Sequence, residues 1–284
     1  MKTSPYLMIL LFAMPLMAQE APADTAQHVP TWKNSLVGAL TATQVAYTDW
    51  VQGGDNSFAW TLLGDGKTTY ETGKTKWIST AKLAYGRTKL GNRADRKTDD
   101  RLELESVYNF QLGCLIKPYV AATLKSQFTH GYTYNVKDRP TAVSDLFDPA
   151  YLTQSMGLGY NPIKEVKIRL GAAVRETFTR HFNVYSDDPK TKAIEKSLVL
   201  PGGEAVTNVD WKLAANIMFS SSIEIFSDFK TFNRVVVRSN NTLSAKVSKL
   251  VTVIANCQTI DEPRMSKRTQ LKQSLSLGLS YSFL

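Results

Sequence analysis

Leu275-Ser276-Leu277-Gly278-Leu279-Ser280-Tyr281-Ser282-Phe283 is the stretch that decides the fold. Odd positions are apolar, and even positions are serine or glycine. A β-strand turns successive side chains to opposite faces, so this segment has one apolar face and one small polar face. The same period recurs upstream. Leu102 and Leu104 continue into Tyr108, Phe110 and Leu112, opposite Arg101, Glu103, Glu105, Asn109 and Gln111. Val166, Ile168, Leu170, Ala172 and Val174 stand opposite Lys167, Arg169 and Arg175. Ile223-Ile225 and Val235-Val237 repeat the theme, with Glu224, Asp228 and Arg238 on the other side. A soluble sandwich alternates in the same way, so alternation alone leaves two all-β classes open.

The spacing of the segments separates them. Strands are expected over 35–47, 57–71, 76–90, 101–112, 117–129, 153–160, 165–180, 204–214, 220–232, 235–247, 250–260 and 269–284. The connections at 72–74, 113–116, 161–164, 215–219 and 248–249 are short, whereas 91–100, 130–152, 181–203 and 261–268 are longer and polar. Short turns at one end and long loops at the other mark an antiparallel transmembrane β-barrel. The segment 50–56 and the tight Asn233-Arg234 turn are shorter members of the long-loop side. An even count of about 12 strands puts both termini on the periplasmic side. Gly64-Asp65-Gly66, read as an extra hairpin, would raise the count to 14; a kink within one strand is preferred.

The N-terminus and the composition agree with that class. Lys2 precedes an apolar run from Tyr6 to Met17, and Ala18-Gln19-Glu20 follows. This is the order of a secretory signal peptide over 1–18, too short for a spanning helix. A leader over 19–31 and a barrel over 32–284 are then expected. Mean hydropathy is −0.21, a value that alternating strands give as readily as a soluble chain. Lys and Arg number 34 against 25 Asp and Glu. They are dispersed along the chain rather than clustered, which argues against nucleic acid as a partner. Cys114 and Cys257 permit one bridge and require none. Lipid around the barrel and the barrel-assembly machinery are the expected partners.

Two resemblances add to this reading. Ser276-x-Gly278-x-x-Tyr281-x-Phe283 resembles the C-terminal assembly signal of outer-membrane barrels, with Leu284 one residue beyond the usual terminal aromatic. Trp50-Val51-Gln52-Gly53-Gly54-Asp55-Asn56-Ser57 resembles the Trp-x-x-Gly-Gly-x-Asn-Ser block of an uncharacterised family of bacterial outer-membrane β-barrel proteins, a domain of unknown function. Thr98-Asp99-Asp100, Lys125 to Tyr132 and Phe147 to Tyr151 are similar to the same family. Asp49 replaces the family's Asn before Trp50, and Thr259 to Glu262 lacks its Tyr-Asp pair. The resemblance implies fold and location and supplies no mechanism. Read physically, Gly53-Gly54 permits positive φ and Asp55-Asn56 can bond back to the backbone, so Trp50 to Ser57 is a tight turn.

Catalytic and metal chemistry find little in the sequence. Of three histidines, His28 falls in the leader, and His130 and His181 at loop-side strand ends, where Asp99 and Asp100 also fall. No Gly-x-Ser-x-Gly elbow or His-x-Ser pair occurs. Thr61 stands where a phosphate loop ending Gly66-Lys67-Thr68 needs its first glycine. No cofactor and no metal are expected. The polar face is the remaining feature. Lys82, Arg101, Glu103, Glu105 and Lys125 fall on it in the first half, then Lys167, Arg169 and Arg175. Asp210, Lys212, Glu224, Asp228, Lys230, Arg238 and Lys246 follow. Such a lining either favours small anionic solutes in a channel or pairs across a closed lumen in a structural or interaction barrel that displays its loops. A rim-sited hydrolase is a third reading. In the channel reading, Arg169 and Arg175 are the natural probes of selectivity.

The last strand gives the first prediction. Phe283→Asp sets a charge on an apolar face, at a cost below the about 2–4 kcal/mol of a Lys or Arg at mid-bilayer depth and smaller still near its surface. The variant is expected to lose its heat-resistant folded band in detergent and to aggregate. Retention of that band would show that Phe283 does not face lipid.

Overall fold

The computed structural model describes residues 30–47, 55–134, 139–188, 190–231, 235–264, 266 and 268–284. The signal peptide, nearly all of the leader, Trp50, Gly53, Gly54 and the Asn233-Arg234 turn lie outside them. Fourteen strands follow in chain order. They are β1 Thr31–Val45, β2 Ser57–Glu71, β3 Thr75–Leu90, β4 Arg96–Phe110 and β5 Ile116–Ser126. Next come β6 Gly131–Tyr134, β7 Pro140–Ser144, β8 Ala150–Ile163 and β9 Val166–Phe178. The last five are β10 Ser197–Ala214, β11 Ile217–Asp228, β12 Val235–Lys246, β13 Val251–Asp261 and β14 Gln270–Ser282. Twelve of them pair antiparallel into one closed barrel, each with its sequence neighbour; β5 passes to β8, and β14 closes on β1. β6 and β7 form a separate hairpin within the β5–β8 connection. No helix among the described residues is long and apolar enough to cross a membrane.

The expected strand count and alternation hold, with local corrections. β4 begins at Arg96, so the loop before it is 91–95 and not 91–100. β10 begins at Ser197, seven positions before the expected start, and shortens the preceding loop to 179–196. β1 begins at Thr31. The segment 130–152, expected as plain loop, contains the β6–β7 hairpin and the start of β8. Gly64-Asp65-Gly66 needs neither a hairpin nor a break: its register runs unshifted against both β1 and β3. The connections at 72–74, 111–115, 164–165, 215–216 and 247–250 share one end with both termini of the barrel. Those at 46–56, 91–95, 127–149, 179–196, 229–234 and 262–269 share the other.

Parity decides which side chains meet. On β14, Leu271, Leu275, Leu277, Leu279 and Tyr281 are exposed outward, and the serines between them turn in. Aromatic residues gather outward near the short-turn end. Trp32 lies 4.7 Å from Tyr70 and 6.4 Å from Trp77, centroid to centroid, and Tyr281 lies 4.9 Å from Phe283. Trp60 and Tyr85, 5.7 Å apart, mark the opposite end of β2 and β3. Cys114 is exposed on a short turn and Cys257 sits within β13; both are free thiols.

The interior is packed where glycine permits it. Gly157 and Gly171 face each other across β8 and β9, and Tyr119 pairs with Gly157 from β5. The Tyr119 ring is buried there with Val107 and Ala121. A Cβ on Gly171 would lie 2.7 Å from the Tyr119 hydroxyl and 2.2 Å from the Met156 carbonyl oxygen. Gly171→Val therefore forces Tyr119 or the strand to move. Overpacking of this kind costs about 1–3 kcal/mol. A lower unfolding temperature in detergent is expected, with Gly203→Val as control, because a Cβ there meets only ordinary contacts. Equal stability of the two variants would mean that Tyr119 does not need the glycine floor.

Candidate functional site: the charged lumen

Register follows the polar parity around the barrel. Lys82 stands between Asp65 on β2 and Glu103 on β4, and Glu103 pairs with Lys125 on β5. Arg175 opposes Thr153, and Glu224 opposes both Val206 and Arg238. Closure then sets charges from distant strands against one another. Lys125 Nζ reaches Glu103 at 3.3 Å and also binds both carboxylate oxygens of Glu224 on β11. Arg169 on β9 is bound to Glu105 on β4. Glu262, just past β13, takes Arg238 at 2.7 Å and Arg175 at 3.3 Å. The Tyr151 ring lies 5.4 Å from the Arg175 guanidinium carbon and 5.0 Å from that of Arg238. Phe226 closes the other side of Arg175 at 5.7 Å.

These contacts change the role of the two arginines expected to probe selectivity. Arg169 and Arg175 are 8% and 5% exposed, so both are cross-lumen ties rather than solvent-facing lining. Other expected positions also move. Lys230 lies on the 229–234 connection, and its backbone N–H donates to Asp228 at 2.8 Å. Asp228 additionally accepts from the Thr231 hydroxyl at 2.7 Å, so this carboxylate caps a turn. Lys212 and Lys246 are exposed at the short-turn ends of their strands. Asn56 and Ser57 are described; the Asn56 side chain accepts from the Tyr47 N–H at 2.7 Å. Gly278, in the assembly-signal segment, pairs with Thr41 at the closing seam.

Space remains at two levels. A cavity of about 440 Å³ towards the short-turn end is lined by Asp65, Lys67, Lys117, Lys167 and Asp210 among others. A second, of about 270 Å³, is lined by Lys82, Arg101, Glu103, Lys125 and Gln270. Both touch Thr80, Lys82, Glu105, Asn208, Ser222 and Asn240, so they meet at that level. Lys67, Lys82, Arg101 and Lys117 form no ion pair among the described residues, and the buried Arg101 Nε has no hydrogen-bond partner there.

The long-connection rim is tied down by two buried carboxylates. Asp100 accepts from the Phe128 and Thr129 N–H groups at 2.7 and 2.9 Å, and from Lys97 at 2.8 Å. Asp148 accepts from the N–H groups of Arg180 and His181 at 3.0 and 2.6 Å, joining 127–149 to 179–196. His130 Nε2 lies 3.2 Å from Asp145, and His181 Nδ1 3.6 Å from Asp148. Asp99 instead binds Lys272 at 2.9 Å. The expected rim acids and histidines thus serve separate contacts and do not converge on one site. Burial, aided by the Asp148 charge, raises the Tyr185 phenol above its ordinary value. The hydroxyl keeps its proton and donates to the Val143 carbonyl at 3.1 Å. No group of three His, Cys, Asp or Glu suited to a metal occurs among the described residues.

Sequence reasoning missed Asp65, Lys67, Tyr119, Tyr151 and Glu262. Parity carried one residue past β13 (Gln258, Ile260, Glu262) was the available signal for Glu262. Asp65 and Lys67 were hidden by treating the flanking glycines as a kink.

Residues 42–132 match a family model described as "Protein of unknown function (DUF3078)". That stretch contains the Trp50 block, Thr98 to Asp100, and Lys125 to Tyr132. No curated protein matches the sequence. Among solved structures, the chain is similar to the translocator domain of the autotransporter NalP from Neisseria meningitidis, at 13% identity, 87% coverage of each chain and a TM-score of 0.40. An outer membrane channel from Pseudomonas putida F1 shares 10% identity, with 93% of this chain and 99% of that one covered and a TM-score of 0.40. The β domain of the Bordetella autotransporter BrkA shares 9% identity, over 88% and 99% of the two chains, with a TM-score of 0.33. None of these likenesses bears on the chemistry of the lumen.

Glu262 is the joint of the packed side. Removing one partner of a buried ion pair leaves the other charge uncompensated, at a cost of about 3–5 kcal/mol. Glu262→Ala should lower the unfolding midpoint in denaturant far more than Glu71→Ala, whose pair with Lys76 is about one-third exposed. Equal losses would show that water already screens the Glu262 cluster.

Proposed function

We propose that the chain spans the bacterial outer membrane as a twelve-stranded barrel and passes small anionic solutes through a narrow, charged lumen. The apolar outer surface, the two aromatic zones and the turn asymmetry support the membrane placement. In hydrocarbon every backbone polar group needs an internal partner, and a closed barrel supplies them. The observation that carries the solute reading is the pair of adjoining cavities lined by unpaired Lys67, Lys82 and Lys117. Fixed cations in a confined passage attract anions and repel cations. Cross-lumen ties narrow the passage, so the solutes are small.

A second reading, a non-conducting barrel that displays its loops, draws support from the tied rim at Asp100 and Asp148. Single-channel recording of the refolded protein separates the two. Conductance with chloride favoured over potassium is expected. Lys67→Glu combined with Lys117→Glu should shift the reversal potential towards cations and lower the chloride preference several-fold. Folding should persist, because neither lysine is in an ion pair. Well-folded protein without conductance would favour the display reading.

A further inference from the structure

The barrel wall is not equally closed all round. β1 pairs with β2 from Thr31 to Val45, and β14 pairs with β13 back to Gln270. Between them, β1 and β14 pair only from Val37–Ser282 to Thr41–Gly278. Both strands continue beyond that point towards the long-connection end. The same register carried on would set Thr43 opposite Ser276 and Val45 opposite Ser274, yet these residues do not pair. Thr43, Gln44 and Val45 are exposed on both faces, as are Gln273, Ser274 and Leu275. Lys272, in the unpaired stretch of β14, is tied across the lumen to Asp99 on β4 at 2.9 Å. This stretch of β14 is therefore fastened away from β1.

Open sheet edges are not tolerated against lipid; irregular backbone at membrane depth survives where it lines a water-filled cavity. Outward-facing Leu271, Leu275 and Leu277 put this gap beside the apolar surface. Its rim carries Thr43, Gln44, Gln273, Ser274 and Ser276, side chains that hold water. The gap is a notch edged by polar side chains. The chamber lined by Lys82 and Arg101, both without an ion-pair partner among the described residues, reaches this edge of β14 at Gln270. A cationic chamber with a side opening to lipid suits one chemistry: a charged head held inside and an alkyl chain left in the bilayer.

Resting on the membrane placement proposed above but not on axial conduction, we infer that the β1–β14 notch is a lateral port. Through it a single-chain amphiphile with an anionic head moves between the chamber and the outer leaflet. Arg101 and Lys82 hold the head, and the notch passes the chain.

The test uses dodecyl phosphate carrying a mid-chain diazirine, in vesicles of phosphatidylcholine and phosphatidylglycerol containing the full barrel. In a Cys114→Ser, Cys257→Ser background, Thr43→Cys with Ser276→Cys places thiols where the continued register would join them. Illumination of the reduced protein should label chamber peptides 101–105 and 123–127. Oxidation should cut that labelling at least tenfold, leave outward-facing peptides labelled, and be reversed by dithiothreitol. Arg101→Gln should lower chamber labelling several-fold without the disulfide. If the disulfide does not form, Ser276→Cys bearing a bulky maleimide blocks the notch for the same readout. Chamber labelling that is absent when reduced, or unchanged when the notch is closed, overturns the port. A dimer that the disulfide dissolves, with chamber labelling unaffected, would assign the edges to strand addition by a second copy and also overturn it. Chloride conductance recorded in parallel reports on the axial channel independently.

Discussion

Everything in this molecule follows from closing a sheet whose two faces have opposite chemistry. An apolar outer face needs lipid, and lipid satisfies no backbone hydrogen bond, so the ladder must return to its own first strand. Once it does, parity leaves no freedom about where the polar side chains go. Residues as distant in sequence as Lys125 and Glu224 share one interior because each has the inward parity of its strand.

Inside, arginine and lysine divide the labour. Arg169, Arg175 and Arg238 are held by Glu105 or Glu262, and all three lie near an aromatic ring. A planar guanidinium can stack and fork at once, so it loses less on desolvation than an ammonium. The lysines without partners, Lys67, Lys82 and Lys117, instead line open volume. The first group makes the barrel rigid, and the second gives its interior a usable charge.

How far the sequence reaches is clear from particular residues. Twelve strands were legible because alternation is a local property: the side-chain order of Leu275 to Phe283 needs no knowledge of its neighbours. Side-chain parity is read in the same local way, and Lys82, Glu103 and Arg238 line one cavity of the structure. Partners were not legible, because Arg169 meets Glu105 only through barrel curvature and shear, which no single strand encodes. Asp228 and Lys230 failed differently: a strand end became a turn, and the carboxylate capped it. The rim lay between these extremes. Thr98 to Asp100, Lys125 to Tyr132 and Phe147 to Tyr151, separate in sequence, converge through the Asp100 contacts with Phe128 and Thr129 and the Gln127 bond to the Asp148 carbonyl at 3.0 Å.

The interior is also lopsided, and the sequence of the seam strands explains why. β14 turns Ser274, Ser276, Gly278, Ser280 and Ser282 inward besides Lys272, and β1 turns Ser35, Val37, Ala39, Thr41, Thr43 and Val45 inward. Strands β5, β8, β9 and β12 contribute Tyr119, Lys125, Tyr151, Arg169, Arg175 and Arg238. Most inward side chains of the seam strands are thus small, and the large ones with their ion pairs come from the other strands. β1 and β14 also share the shortest ladder of the barrel. Small hydroxyls leave the edges that lack a partner uncrowded and offer them polar groups. Packing and ion pairs among the other strands supply the rigidity that the seam gives up, so the incomplete closure is compatible with a stable barrel.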